Sequence, residues 1–399
     1  MTHGGTAPEE TPLSLDGVRV VDFSRLLPGP WCTQTLGDLG ADVIKVEQPE
    51  IGDYSRYNPP RYRESGVYFN SVNRNKRSIA LDLASPEDQA VALRLIAQAD
   101  ILVESFRPGI ADKLGVGYTA VSRTNPGLIY CSLTGFGADG PLAGMPAHDL
   151  SLQGLSGLMA AGPAQDSRPP VPGFQSADYA ASAFATIGVL AAYVRRMRTG
   201  RGCRIDIPMY DSLMSWSNIV LAGAMARLTG ASGQPALEVW GSNPRYDTYL
   251  TKDGKSVTVA LLEGRTWRHF CAHIGRPDLA SPDEDWSQRH SNHGERGAAY
   301  RDAIAAFCRG HERDALAELA VRAGLPICPV YSPDEALRSP EALARGIVQF
   351  IDHPAEGRIP FLADPLARAG LSDPGRRPAP GLGQHGEEVR RELDSKPSS

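Results

Sequence analysis

Six cysteines in 399 residues, none in a CxxC pair and none with histidine at metal-ligand spacing, argue against a disulfide scaffold and against a structural zinc. The sequence also has no stretch of about 18 uninterrupted apolar residues, so no membrane span is expected. Its opening, MTHGGTAPEETPLS, is polar and lacks the apolar core of a signal peptide, and the expected location is the cytoplasm. Charge of one sign is missing as well: 41 Lys and Arg nearly balance 46 Asp and Glu, for a net charge of −5. Without a basic tail or stripe, nucleic acid is not an expected partner; a small molecule is.

The first 135 residues are rich in short Val/Ile runs: VRVVDF (18–23), DVIKVE (42–47), SIALDL (78–83), ILVES (101–105) and LIYCSLTGF (128–136). Such runs suit strands buried on both faces of a parallel sheet. Helical segments lie between them, the clearest being 86–99, opened by Ser85 as N-cap, Pro86 at the first helical position and Glu87 and Asp88 in the first turn. Alternation of this kind implies a doubly wound α/β domain. The first strand leads into SRLLPGPWCT where a dinucleotide fold carries GxGxxG, so an NAD site is disfavoured.

Further along, an Ala-rich helix over 178–198 ends in Arg195, Arg196 and Arg198 before Gly200. The strand RIDIPM and a helix over 209–228 follow, then a Gly/Ser/Pro-rich stretch from Gly230 to Pro244 that reads as a linker. Beyond it a hairpin turning at Asp253 and Gly254, with helices over 265–273 and 300–323, forms a smaller α+β unit. From Asp373 the tail is rich in Pro and Gly, and its last residues read as disordered. The expected division is 1–228 for the large domain, 229–335 for the small one, and 336–399 for a return to the large domain and the tail.

His148 and Asp178 stand out as candidate chemistry, since an imidazole and a carboxylate brought together can attack a thioester or move a proton beside a carbonyl. An Asp ahead of a helix can equally be an N-cap. Lys76, Arg77 and Arg107 fall near strand ends, where open α/β sheets bind ligands and cations suit phosphates.

Several segments, taken in order, make the chain similar to the class III CoA-transferase family: LDGVRVVDFSRLLPGP, LGADVIKVEQPEIGD, NRNKRSIALDL, ESFRPG, NPGLIYCSLTGFG, RTGRGCRIDIPMYDS, LARGI and APGLGQH. The family includes formyl-CoA, carnitine and bile-acid CoA transferases and the 2-methylacyl-CoA racemases. The resemblance implies a Rossmann-like large domain, a small domain and an interlocked homodimer. It implies an acyl-CoA substrate and a carboxylic acid acceptor, with coenzyme A entering as part of the substrate and no permanently bound cofactor or metal. It places CoA contacts at Arg25, Leu26, Leu27, Asn75, Lys76, Arg77 and Arg107. It also puts Asp178 at the family's catalytic aspartate, the nucleophile of the transferases and an acid/base group of the racemases. His148, and Glu263 in VALLEGRTW, match racemase positions, whereas Asn75, QGLSGLM and APGLGQHGEEV read like transferases. The expectation is CoA transfer through Asp178; the alternative is racemisation by His148 and Asp178 with Glu263 in support.

Overall fold

A computed structural model describes residues 12–161, 168–231, 241–281 and 286–395. The chain divides into two compact units. The first holds the residues up to Gln153, Gly173–Trp216 and those from Pro340 onward; the second holds Gly154–Pro172 and Ser217–Ser339. The sequence placed the division at 228/229 and missed that 154–172 goes with the second unit. Chain order does not reveal which packed core a turn-rich segment joins. Residues 232–240, part of the expected linker, lie outside the described residues.

The first unit is built on a six-stranded sheet in the order β3-β2-β1-β4-β5-β6, with every pairing parallel. Its strands are β1 (Arg19–Asp22), β2 (Asp42–Glu47), β3 (Lys76–Ala80), β4 (Ile101–Glu104), β5 (Ile129–Thr134) and β6 (Cys203–Pro208). The inner strands are buried nearly throughout because both sheet faces are covered; Val20, Val21, Ile44, Ile101 and Leu102 have almost no exposed surface. β6, at the edge, alternates half-buried and exposed residues. Strand order runs outward from β1 to β3 and then resumes beside β1 with β4, so a crevice opens at the strand ends between β1 and β4.

The helix Pro86–Ala97 begins as expected, with Pro86 in the first turn and Ser85 at the N-cap, although the Ser85 side chain makes no capping bond. The Ala-rich helix runs Ser176–Thr199 and closes on Gly200 in the left-handed conformation. It is long and apolar enough by composition to cross a membrane, but its buried stripe of Ala177, Ala181, Ala185, Val189 and Ala192 faces the protein interior. The helix expected over 209–228 is two pieces, Met209–Trp216 and Ala222–Leu228. The one expected over 300–323 likewise breaks into Arg296–Arg309 and Arg313–Ala323, with Gly310 at the end of the first piece.

In the second unit β7 (Tyr246–Leu250), β8 (Ser256–Ala260) and β9 (Ile327–Pro329) form an antiparallel sheet, with Gly254 at φ 73° in the hairpin turn. Trp267, Phe270, Tyr300, Ile304 and Leu316 supply its core.

The chain then returns to the first unit. β10 (Val348–His353) pairs with β11 (Gly357–Leu362), and Glu356 at their turn accepts the backbone N–H groups of Arg63 at 2.7 Å and Ser65 at 2.8 Å. The Pro- and Gly-rich tail from Asp373 is described as far as Ser395. It ends in the helix Gly386–Ser395, whose Val389 and Leu393 are buried in the main core and whose Glu392 bonds Arg19 and Arg77. Residues 396–399, expected to be disordered, lie outside the described residues.

Candidate active site

β1 leads into a loop, Ser24–Leu27, that turns sharply into the helix Pro28–Asp38. Gly29 is required there because a Cβ would fall 2.1 Å from the Cβ of Ser24. Leu26 adopts φ 64°, a left-handed conformation that costs a residue other than glycine about 1–2 kcal/mol. Both carboxylate oxygens of Asp53 accept the Leu26 N–H, each at 3.2 Å. Lys45, fully buried, ties the same loop from below: its Nζ lies 3.0 Å from Asp53 Oδ2 and donates to the Ser24 carbonyl at 2.8 Å.

Above this loop is a cavity of about 480 Å³ whose walls include Arg25, Leu26, Tyr68, Arg107, His148 and Asp178. The structure therefore brings together the two residues singled out for chemistry. Asp178 is the third residue of the Ser176–Thr199 helix and not its cap; that reading is corrected by the helix starting two residues earlier than expected. The capping is done by Asp149, which the sequence reading passed over. Its Oδ1 accepts the N–H of Ala177 at 2.7 Å and of Asp178 at 3.4 Å, while its Oδ2 accepts from Gln153 Nε2 at 2.5 Å. The neighbouring His148 is exposed, and its carbonyl accepts the Ser151 N–H at 2.9 Å. An Asp at the start of an apolar segment is a visible capping signal, but the helix it caps lies 28 residues away in the chain.

The Asp178 carboxylate accepts no hydrogen bond among the described residues. Burial, reinforced by the charge of Asp149, pushes it up to about 7. Tyr68, also on the cavity wall, is raised above the ordinary phenol value by burial and by the charge of Asp178, so it stands as a protonated donor. Arg25 and Arg107 bring positive charge. Neither guanidinium forms an ion pair among the described residues; Arg25 lies 5.1 Å from the centre of the Tyr54 ring.

A second cavity, of about 240 Å³, adjoins the first across Arg25 and Phe106, which line both. It sits at the ends of β1 to β4, with Phe23, Val46, Leu81 and Leu114 as apolar walls and Gln48 and Asp82 among its polar groups. This is the crevice that the strand order creates. None of its lining residues besides Arg25 was selected from the sequence.

Four residues expected at the ligand are placed elsewhere. Lys76 is completely buried, and its three donors are used by Asp22 Oδ2 at 2.9 Å, the Pro30 carbonyl at 2.9 Å and Asn73 Oδ1 at 2.8 Å. Burial lowers its pKa to about 8 despite the attraction of Asp22. Arg77 is held by Asp42, Glu388 and Glu392 at 2.6–2.8 Å. Asn75, at φ 58°, binds Asp38 Oδ1 at 2.6 Å and the Asp373 carbonyl at 2.7 Å. Leu27 is buried at the N-cap of the Pro28–Asp38 helix, outside the cavity lining. A cluster of cations near strand ends looks alike in sequence whether it meets a ligand or a set of carboxylates. Glu263, in the second unit, is the N-cap residue of the helix Gly264–His273 and makes no side-chain capping bond.

A family model described as CoA-transferase family III matches residues 15–386. The acetyl-CoA:oxalate CoA-transferase of Acetobacter aceti is 33% identical over 396 residues, covering 97% of this chain and 98% of the relative. The succinyl-CoA:mesaconate CoA-transferase of Haloarcula hispanica is 34% identical over 390 residues, covering 94% and 95%. The succinate–glutarate CoA-transferase of Agrobacterium fabrum is 33% identical over 392 residues, covering 96% of both. Among solved structures, a CAIB/BAIF family protein from Brucella suis superposes with a TM-score of 0.79 at 33% identity, covering 96% of this chain and all of that one.

Proposed function

Because the chain belongs to CoA-transferase family III and is a CoA-transferase, we propose that it moves CoA from an acyl-CoA to a carboxylic acid by way of Asp178. The observation that carries this reading is the Asp178 carboxylate, which accepts no hydrogen bond among the described residues, on the wall of a cavity of about 480 Å³ that adjoins an apolar crevice at the strand ends. The adenosine end of CoA fits the crevice, the pantetheine arm passes Arg25 and Phe106, and the thioester reaches Asp178. Rossmann-like architecture accounts for the placing of the crevice beside β1 and β4.

In this reading ionised Asp178 attacks the thioester carbonyl, the C–S bond breaks, and CoA leaves as thiolate from a mixed anhydride. The thiolate attacks the Asp178 carbonyl carbon, which releases the first acid as carboxylate and leaves an aspartyl-CoA thioester. The acceptor carboxylate attacks that thioester and frees CoA thiolate again. The thiolate then takes the acceptor's acyl group from the second anhydride and restores Asp178. No proton is gained or lost overall, and one difficult exchange is divided into easier steps. Tyr68, kept protonated, is a donor for the oxygen on which charge develops.

The acceptor is a small dicarboxylic acid. The relatives named above act on oxalate, mesaconate and glutarate by their names, and the cavity is lined by Arg25 and Arg107 without carboxylate partners among the described residues. A homodimer of interlocked chains is proposed as well, supported by exposed Ile187, Val194 and Met197 on the Ser176–Thr199 helix at 60%, 44% and 66%.

Incubation with succinyl-CoA followed by hydroxylamine and peptide mass spectrometry tests the reading. A hydroxamate on Asp178, and loss of exchange in Asp178→Ala, are expected; an unmodified peptide from an active enzyme overturns it. A second reading, racemisation, is favoured by His148 lining the same cavity as Asp178. It requires α-hydrogen exchange of a 2-methylacyl-CoA in deuterated water with no acceptor acid, and slower exchange in His148→Ala.

A further inference from the structure

The wall shared by the two cavities is held in place by a buried ion pair that the chemistry does not use. Arg25 lines both cavities, and the backbone is tied on either side of it. Lys45 Nζ donates to the Ser24 carbonyl at 2.8 Å, Asp53 accepts the Leu26 N–H through both oxygens at 3.2 Å, and Lys45 and Asp53 are joined at 3.0 Å. The Arg25 N–H is itself bound by Ser105 Oγ at 3.1 Å. Asp53 is anchored in turn, because its N–H donates to Glu47 Oε2 at 3.0 Å and its Oδ1 accepts from Ser55 N at 2.9 Å and Ser55 Oγ at 2.8 Å. Both members of the pair have no exposed surface.

Leu26 would leave a left-handed conformation if nothing held it, since a side-chain Cβ crowds the backbone there. Release of Leu26 would swing Arg25 away from the junction of the cavities. We propose that Asp53 and Lys45 are positioning residues for coenzyme A: they fix Leu26 in its left-handed conformation and so hold Arg25 where the CoA arm crosses from the strand-end crevice to Asp178. This rests on the reading that the two cavities hold CoA. A glycine at 26 would take the same φ without restraint, which makes the role separable from a general contribution to folding.

The test measures the dissociation constant for free CoA by titration calorimetry on the full-length protein, with turnover at saturating acyl-CoA in parallel. Asp53→Asn is expected to weaken CoA about tenfold, or about 1.4 kcal/mol, with kcat within about threefold because the Asp178 helix is untouched. Leu26→Gly added to Asp53→Asn is expected to recover most of that affinity. Asp53→Glu keeps the charge opposite Lys45 but moves the carboxylate off the Leu26 amide, and serves if Asp53→Asn does not fold; it too should weaken CoA and be rescued by Leu26→Gly. Wild-type affinity in the Asp53 variants, or a loss that Leu26→Gly does not restore, overturns the proposal. Failure of the wild-type protein to bind CoA would instead overturn the proposed function.

Discussion

Asp149 and Asp178 meet at one helix start, where the carboxylate of Asp149 accepts the backbone N–H of Asp178 at 3.4 Å and that of Ala177 at 2.7 Å. The side chain of Asp149 is thus turned to the helix end, and that of Asp178 to the cavity. One acid supports the backbone that carries the other and also adds a negative charge beside it.

That charge has a kinetic signature. A carboxylate nucleophile works ionised, and burial together with Asp149 raises Asp178 from the ordinary 3.8 to about 7. Raising an acid's pKa favours the neutral form, so kcat/KM for acyl-CoA should climb about tenfold per pH unit below pH 7 and level off above it. In Asp149→Asn the repulsion is gone, ionisation is easier and the rising limb moves to lower pH. A pH–rate profile in which the limb stays or moves upward contradicts this account.

Removing the cap altogether has a different effect. Asp149→Ala leaves the Ala177 N–H without its acceptor, at a cost of about 1 kcal/mol, within the 0.5–2 seen for helix caps. Urea denaturation followed by circular dichroism should show a lower midpoint for Asp149→Ala than for Asp149→Asn, which keeps an acceptor oxygen. Equal midpoints would mean the capping bonds contribute nothing.

Lys76 should matter for folding and not for the ligand. Lys76→Met leaves Asp22 fully buried with Lys45, 4.0 Å away, as its one charged partner among the described residues. Breaking a buried pair from one side costs about 3–5 kcal/mol, so chemical denaturation should show a large loss of stability while the folded fraction keeps its affinity for CoA. Weakened CoA binding at unchanged stability would put the side chain at the ligand after all.

Two arginines should behave in opposite ways. Arg107→Gln removes an exposed guanidinium on the cavity wall and should raise the KM for acyl-CoA about tenfold or more, with stability changed by about 0.5 kcal/mol or less. Arg77→Gln cuts links to Asp42, Glu388 and Glu392 and should lower the denaturation midpoint while KM stays within about twofold. Steady-state kinetics and melting on the same preparations decide both.

What the sequence disclosed and what it hid follow from the range of the interactions. The parallel strands were readable because burial on both faces writes a continuous apolar run into each, as in DVIKVE and ILVES. Asp178, His148, Arg25, Leu26 and Arg107, singled out from the sequence, line one cavity. Lys76, Arg77 and Asn75 were misplaced because their partners, Asp22, Glu392 and Asp373, are 54, 315 and 298 residues away in the chain. No local pattern announces such a partner. Asp53 and Lys45 went unnoticed because the backbone they hold, at Leu26 and Ser24, lies 27 and 21 residues earlier in the chain, and Asp149 because the helix it caps begins far downstream.

The outer edge of β3 is closed by the end of the chain. Ser78 donates its N–H to His385 Nδ1 at 3.2 Å, accepts the His385 N–H at 2.8 Å and takes the Gly383 N–H on its hydroxyl at 3.0 Å, while Asn75 and Arg377 exchange bonds nearby. During synthesis the sheet is therefore left with one raw margin while some 300 further residues, including the whole second unit, leave the ribosome. The nascent protein passes through a long interval in which that edge is uncovered. A chain interrupted before Arg377 keeps that margin permanently, and is the form most exposed to association with other unfinished copies.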